Sequence, residues 1–319
     1  MHKNNKVVVI IPAFNEEKSI GKVINSMPGF VDEIVVVNDG STDKTAEVAI
    51  EKGSIVINHK RNIGVGASFH SGMRKALDLN PDVMVNIDAD GQFNPEDIGK
   101  LIDPIISKKA DFVTASRFID SNHYPDMSRI KSLGNKVMSF IISKISGQKF
   151  HDVSCGFRAY SKDALLMLNL FGEFTYTQET FLNLALKNVS IMEIPVKVRG
   201  IREHGKSKVA SNLFKYGYQT LKVIVKTLRD YWPLKLFAAI SFLTFLIAFG
   251  LGIYFLIHYI KTGSFSPYKW VGFTGGFFFV LSVMTITIGF ILEMFSRMRL
   301  NQEEMLYYMR KIFFKDKSK

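Results

Sequence analysis

The chain has a single cysteine, Cys155, among its 319 residues. That excludes an internal disulfide framework and a Cys-rich zinc site. It also lacks an internal repeat and an apolar leader with a cleavage site, because residues 7–11 are too short a run to read as a signal peptide. Charged residues make up only 22% against 47% apolar, which excludes a disordered chain. Acidic residues are the scarcer sign, 29 against 41 Lys and Arg, for a net charge of +12. The length is large for one small domain and short for three. Twenty-seven Phe and a positive mean hydropathy of +0.11 point to a part of the chain that sits in lipid.

The excess positive charge is not spread evenly. Residues 1–196 are near balance, with 22 basic and 23 acidic side chains. Residues 197–235 carry 10 basic and 2 acidic, and residues 297–319 carry 7 and 3. Between these basic flanks lie two apolar runs, 236–260 and 271–295, interrupted only by His258 and Glu293. As helices of ~1.5 Å rise per residue, each reaches ~37 Å, enough to cross a hydrocarbon core of ~30 Å. Soluble helices of that length keep a polar face. Basic flanks around an apolar pair fit an anionic membrane surface rather than nucleic acid. The joining segment 261–270 contains Gly263, Pro267 and Trp270, as a tight hairpin with an interfacial aromatic would. Its two Lys against the heavily basic flanks put the flanks on the cytoplasmic side.

The rest of the chain reads as alternating strands and helices. Strands are expected at 7–11, stopped by Pro12, and at 34–37, 55–58, 83–87 and 112–115. Helices are expected at 18–26, 44–52, 66–79 and 97–108, the second capped by Ser41 or Thr42. This alternation implies an open α/β sheet, whose ligands bind beyond the carboxyl ends of the strands. Asn15, Asp39, Asp88 and Asp90 all follow strand ends and so converge. Asp88-Ala89-Asp90, with Gln92 two residues on, offers oxygen ligands to a hard divalent cation that bridges to phosphates. A solvated turn is the plainer reading of Asp-x-Asp alone. Asn62-Ile63-Gly64-Val65-Gly66 precedes a helix, where glycine allows a phosphate to approach the backbone; a plain tight turn fits as well, and the segment matches neither a P-loop nor a dinucleotide fingerprint.

Three segments together carry a specific resemblance. Val9-Ile10-Ile11-Pro12-Ala13-Phe14-Asn15-Glu16-Glu17, Val36-Val37-Asn38-Asp39-Gly40-Ser41-Thr42-Asp43 and Asp88-Ala89-Asp90-Gly91-Gln92 resemble the landmarks of family 2 glycosyltransferases. The resemblance covers residues 1 to about 210 and implies a GT-A fold, Rossmann-like, using nucleotide sugars. It implies that Pro12, Phe14, Glu16, Asp39, Gly64, Asp88 and Ala89 line the donor site. Asp88, Asp90 and Gln92 would hold Mg²⁺ or Mn²⁺ and the diphosphate.

Four further segments narrow the branch: Ser116-Arg117-Phe118, Ser128-Arg129-Ile130-Lys131, Asp152-Val153-Ser154-Cys155-Gly156-Phe157-Arg158 and Arg202-Glu203-His204-Gly205-Lys206-Ser207-Lys208. The set is similar to polyprenyl-phosphate sugar synthases of the dolichyl-phosphate mannose or glucose type. Those have Ser-Gly-Phe-Arg; here Cys155 is interposed, with packing as its expected role. The reaction implied is inverting transfer of one sugar from a UDP- or GDP-sugar to a polyprenyl (dolichyl or undecaprenyl) phosphate at the cytoplasmic membrane face. Asp90 would act with the metal, and Arg117, Arg129, Arg202 and Lys208 would bind phosphate, Arg being suited to bidentate contact. A hydroxyl acceptor would instead need a base. Glu179 lies where relatives with sugar acceptors carry Glu-Asp, but Thr180 replaces the Asp. Processive polymerases carry Gln-x-x-Arg-Trp, which does not occur here. The remaining rival is a dead nucleotide-binding membrane scaffold, against which the intact Asp39, Asp88, Asp90 and Arg202 argue.

The organisation expected is a catalytic domain over 1–207, an amphipathic juxtamembrane helix over 208–234, a two-helix membrane hairpin over 235–296 and a basic cytoplasmic helix over 297–319. In the second of these, Lys208, Lys215, Lys222 and Arg229 recur every seven residues opposite Leu213, Tyr216, Leu221, Ile224 and Leu228. Gly272, Gly275 and Gly276 permit close helix contact, including pairing between copies.

Overall fold

The computed structural model describes residues 1–120, 129–170, 176–198, 222, 225–226 and 229–316. Two compact units emerge, one from residues 1–220 with 306–319, the other from 221–305.

The first unit is built on one seven-stranded sheet. Its strands are β1 (Val7–Ala13), β2 (Glu33–Asn38), β3 (Ile55–Asn58), β4 (Val83–Asn86), β5 (Phe112–Ser116), β6 (Arg158–Ser161) and β7 (Ile191–Pro195), in spatial order β3-β2-β1-β4-β6-β5-β7. The helices are α1 (Ile20–Asn25), α2 (Thr45–Glu51), α3 (Val65–Asp78), α4 (Ile98–Ile106), α5 (Arg129–Ser146), α6 (Lys162–Met167) and α7 (Tyr176–Leu186). The continuous apolar run Val7-Val8-Val9-Ile10-Ile11 is fully buried, as a central strand covered on both faces must be.

Pro12 does not stop β1, which runs on to Ala13 with Pro12 opposite Val37 of β2. Successive residues of a strand bond to alternate neighbours. Ile10 accepts from Ile87 on the β4 side, and Ala13 accepts from Asp39 on the β2 side. Pro12 therefore faces the β4 side, where pairing has already ended at Ile10–Asn86, and its missing N–H costs no ladder bond.

β6 and β7 were not expected. β6 is antiparallel to both β4 and β5, which makes the sheet mixed. It begins with Arg158, a fully buried cation. Its guanidinium donates to the carbonyls of Cys155 (2.7 Å), Val153 (3.1 Å) and Thr177 (2.8 Å), and lies over the ring of Phe181. Carbonyls and ring faces thus satisfy a charge that burial would otherwise penalise.

The second unit contains most of two long apolar helices, α8 (Pro233–Thr262) and α9 (Lys269–Asp316), each long and apolar enough to cross a membrane. Inside it, Ser241 Oγ donates to the Ser282 carbonyl (2.9 Å) and Ser282 Oγ to the Ser241 carbonyl (3.0 Å), both side chains being buried. α9 continues unbroken through residue 297 to its end. Its last turns, from Leu306 onward, belong to the first unit, where Arg310 donates to the Leu166 and Leu168 carbonyls at the end of α6.

Candidate active site

The carboxyl ends of β2, β1 and β4 lie side by side and bring two groups of the expected residues together. The first group surrounds Asp39. This side chain is buried, and its carboxylate accepts from Ile63 N–H (3.0 Å), Gly64 N–H (2.9 Å) and the His59 ring at Nδ1 (2.8 Å). The opposite ring nitrogen, Nε2, meets Ser71 Oγ at 2.9 Å. Asp39 thus ties the loop after β2 to the loop before α3, where Gly64 sits at φ +100.

Gly40 shows how closely these loops approach. Its φ is +68, and a Cβ there would stand 2.5 Å from the Arg61 carbonyl carbon. Only glycine meets both conditions without distortion.

The loop after β1 is laced to the same place. Asn15, at φ +55, donates its N–H to Ser41 Oγ (3.0 Å) and accepts from Thr42 N–H (2.8 Å). Glu16 N–H donates to Thr45 Oγ1 (2.8 Å), while the Glu16 carboxylate accepts from Ser19 Oγ (2.9 Å). Ser41 and Thr42 therefore serve the β1 loop and do not cap α2, whose N-cap is Lys44. Pro12 and Phe14 stand half-buried beside this network.

The second group follows β4. Asp90 is buried, with Oδ1 accepting from Gln92 N–H (3.0 Å), and Gly91 between them takes φ +72. Ala89 packs in the core beneath the turn. Asp88 is half-buried against the chain at Gly156, where a Cβ would lie 2.9 Å from both its carboxylate oxygens. Tyr176, whose hydroxyl accepts from Asn86 Nδ2 (3.1 Å), lies close by. Burial, then the Asp88 charge, raise its hydroxyl well above the usual tyrosine value. Among the described residues no three His, Cys, Asp or Glu side chains gather for a metal. A carboxylate pair of this kind suits Mg²⁺ or Mn²⁺, which complete their shells with water and substrate phosphate oxygens.

A third cluster flanks Asp88. Arg117, just past β5, is clamped by the buried Asp152 through Nε–Oδ2 (2.6 Å) and Nη2–Oδ1 (2.9 Å), and Nη2 also donates to Ser154 Oγ (2.6 Å). Burial alone would raise the Asp152 carboxyl, but the Arg117 guanidinium and the backbone N–H donors outweigh it and hold it below the usual range. Burial works against the Arg117 charge, but Asp152 outweighs it and holds the guanidinium in its charged form, with Asp88 contributing less.

Behind this pair, Glu193 of β7 accepts from the N–H groups of His151 and Asp152 and from the His151 ring. Asn135 and Ser139 of α5 both donate to the His151 carbonyl. Asp152, Glu193, His59 and Tyr176 escaped the reading of the sequence. Asp152 lay in the segment around Cys155 and Tyr176 in the segment around Glu179, but neither was given a role. Cys155 is buried, its thiol pushed up to about 12 by burial, in keeping with a packing role.

Arg129 is the first residue of α5, and its side chain lies outside the described residues, as do Arg202 and Lys208 altogether. Glu179 is half-buried in the first turn of α7, and the buried Thr180 spends its hydroxyl on the Tyr176 carbonyl.

The fold is that of the GT-A class of glycosyltransferases. A solved structure of glucosyl-3-phosphoglycerate synthase from Mycobacterium tuberculosis, in complex with phosphoglyceric acid, superposes with a TM-score of 0.56 at 23% identity, over 71% of this chain and 80% of that one. Another structure of that enzyme, holding Mn²⁺, UDP-glucose and phosphoglyceric acid, gives 0.55 at 22%, over 71% and 79%. The Glycosyl transferase family 2 profile matches residues 8–166. A UDP-N-acetylglucosamine–dolichyl-phosphate N-acetylglucosaminyltransferase of Methanococcus voltae is 36% identical over 60% of this chain and 84% of its own length. A dolichyl-phosphate beta-glucosyltransferase of Trichomonas vaginalis is 28% identical over 72% and 76%. The chain belongs to glycosyltransferase family 2.

Proposed function

We propose that this glycosyltransferase moves one sugar, with inversion, from a nucleotide diphosphate sugar to a polyprenyl phosphate at the cytoplasmic face of a membrane. The observation that carries the proposal is the Arg117–Asp152 clamp beside Asp88, in a chain with two helices able to cross a membrane. A clamped guanidinium is a preorganised anion partner, and the relatives named for dolichyl phosphate share this chemistry of acceptor.

In this reading the Asp39 network shapes the nucleotide pocket. Asp88 and Asp90, with Gln92, would hold Mg²⁺ or Mn²⁺, which when bound supplies charge to stabilise the leaving diphosphate. Arg117 orients the acceptor phosphate. The second pKa of a phosphate monoester is about 6, so the acceptor is largely dianionic at neutral pH and attacks the anomeric carbon without a general base. Catalysis is then chiefly positioning and charge stabilisation. Arg129, Arg202 and Lys208 are proposed as further phosphate partners.

The test is incubation of the purified protein with Mg²⁺ or Mn²⁺, a polyprenyl phosphate and a panel of UDP- and GDP-sugars, read by mass spectrometry of the lipid. The expected product gains one hexose or N-acetylhexosamine, and Asp90→Ala lowers the rate by about 10³-fold or more through lost charge stabilisation. Donor binding without any lipid product would overturn the phosphate acceptor and move the weight to a hydroxyl acceptor with Glu179 as base.

A further inference from the structure

Asn86 is the last residue of β4, fully buried, two positions before Asp88. Its amide nitrogen donates to the Gly156 carbonyl (2.7 Å) and to the Tyr176 hydroxyl oxygen (3.1 Å). The amide cannot be turned round, because a carbonyl only accepts and the reversed amide would set oxygen against oxygen. Its own Oδ1 has no protein partner among the described residues. An unpaired oxygen in the core is a cost, so the amide is kept there for its two donors. Tyr176 is fixed in turn: its buried ring stacks on Phe69, with centroids 4.6 Å apart and planes 21° apart.

The segment that the amide holds is anchored at three consecutive carbonyls, each by a different group. The Arg158 guanidinium takes Cys155 (2.7 Å), Asn86 takes Gly156 and the Ala115 N–H takes Phe157 (2.9 Å). Gly156 does not take a positive φ, so the backbone does not demand glycine there. Asp88 does. A Cβ at Gly156 would lie 2.9 Å from both carboxylate oxygens of Asp88 and 3.2 Å from its Cγ. The whole carboxylate is therefore seated against this segment.

We propose that Asn86 and Tyr176 are positioning residues for Asp88: they hold Gly156 as a fixed seat for the carboxylate and so set the affinity of the site for its divalent cation. A metal ligand binds well only when the groups behind it fix its orientation. Here the orienting contact is steric, carboxylate against a bare Cα, and the buried amide keeps that Cα in place. Neither Asn86 nor Tyr176 needs to touch the cation. The proposal rests on the reading that Asp88 holds Mg²⁺ or Mn²⁺, and its test reads cation binding without turnover.

Mn²⁺ is titrated into the full-length protein in detergent with UDP, and in a second series with GDP, against nucleotide without protein. Free Mn²⁺ is read from its electron paramagnetic resonance signal, and the thermal midpoint of each variant is recorded beside it. Gly156→Ala pushes a methyl group into the carboxylate and should weaken Mn²⁺ about 100-fold; Asn86→Leu, which frees the Gly156 carbonyl, about 10-fold. Tyr176→Phe keeps the ring on Phe69 and loses only the hydroxyl, so it tests the brace without unseating the core and should weaken Mn²⁺ by less than Asn86→Leu. Because the two residues act as one unit, Asn86→Leu with Tyr176→Phe should weaken Mn²⁺ no more than Asn86→Leu alone. Asp88→Ala separates the two readings. If it loses Mn²⁺ while Asn86→Leu and Gly156→Ala bind as the unaltered protein does, the brace is overturned and the metal assignment stands. If Asp88→Ala binds Mn²⁺ unchanged, the metal assignment fails and takes the brace with it. A lowered thermal midpoint in Asn86→Leu and Tyr176→Phe with Mn²⁺ affinity unchanged would reduce the pair to packing.

Discussion

The two halves of the catalytic sheet are stabilised by different kinds of contact. In the β3-β2-β1-β4 half, all strands are parallel and the site is built from loops that directly follow them. Asp39, Asn15 and Glu16 bond to backbone or hydroxyls of the adjoining loops, so this side is a lattice of neighbours. In the β6-β5-β7 half, an antiparallel strand is inserted and the site rests on one buried ion pair, Arg117–Asp152, braced from behind by Glu193. The first half spreads its order over many modest bonds. The second concentrates it in a charge pair that burial makes costly to break.

The largest effect should therefore come from splitting that pair. Asp152→Ala leaves the Arg117 charge buried without its counter-ion, and the expected loss is about 3–5 kcal/mol of unfolding free energy, read by chemical denaturation in detergent. Asp152→Asn keeps the shape and removes the charge. Because the folded carboxyl titrates below its usual value, its contribution is present above about pH 4 and is lost as pH falls through the folded value. The acid limb of the stability curve should flatten in Asp152→Asn; an unchanged limb would show that the pair does not carry this half.

A smaller effect is expected from the tightest contact of the other half. Gly40→Ala must fit a Cβ 2.5 Å from the Arg61 backbone at φ +68. The strain should cost about 1–3 kcal/mol. It should also push the residue 61–64 loop off Asp39 and weaken nucleotide binding measured by calorimetry. Retained binding would mean that the Asp39 lattice does not shape the pocket.

Smaller again is His59→Ala. It removes one bond to the Asp39 carboxylate, worth about 1.5 kcal/mol, or ~10-fold. The donor KM should rise by that factor with kcat and the acceptor KM unchanged, and His59→Asn should recover part of it. An equal fall in kcat would place His59 in the chemistry and not in positioning.

The same contrast decides what could be read before the structure. The β3-β2-β1-β4 half was legible because its residues sit in short segments at strand ends, where an Asp or Gly has few alternative jobs. Even there Pro12 misled, since a strand whose neighbour has ended can carry proline at no cost in ladder bonds. Ser41 and Thr42 misled as well, because the Ser41 hydroxyl is spent 26 residues back on the Asn15 N–H, and Thr42 is drawn the same way by its own N–H, which donates to the Asn15 side chain. The β6-β5-β7 half was less legible. Arg117 was singled out, but its partner lies 35 residues away and Glu193 a further 41, on a strand with no alternation to announce it. Long-range closure of that kind has no local pattern. The apolar helices were the plainest feature of all, because a membrane demands length and composition rather than any particular residue.

That indifference to particular residues sets the smallest prediction, in the unit of the two apolar helices, where polar detail is rare. Ser241 and Ser282 exchange two hydrogen bonds between α8 and α9. In water such a pair competes with solvent; in hydrocarbon there is none, yet each serine can also bond back to its own helix, as Thr244 does to Ile240 and Ser241 carbonyls. The released hydroxyl is thus not orphaned, and interhelical bonds of this type are worth only about 0.6 kcal/mol. Ser241→Ala with Ser282→Ala should lower the thermal midpoint in detergent slightly and leave transferase activity unchanged. A loss matching Asp152→Ala would mean that the helix pair depends on one buried polar contact as the β6-β5-β7 half does, and that the contrast between regions does not extend to the apolar helices.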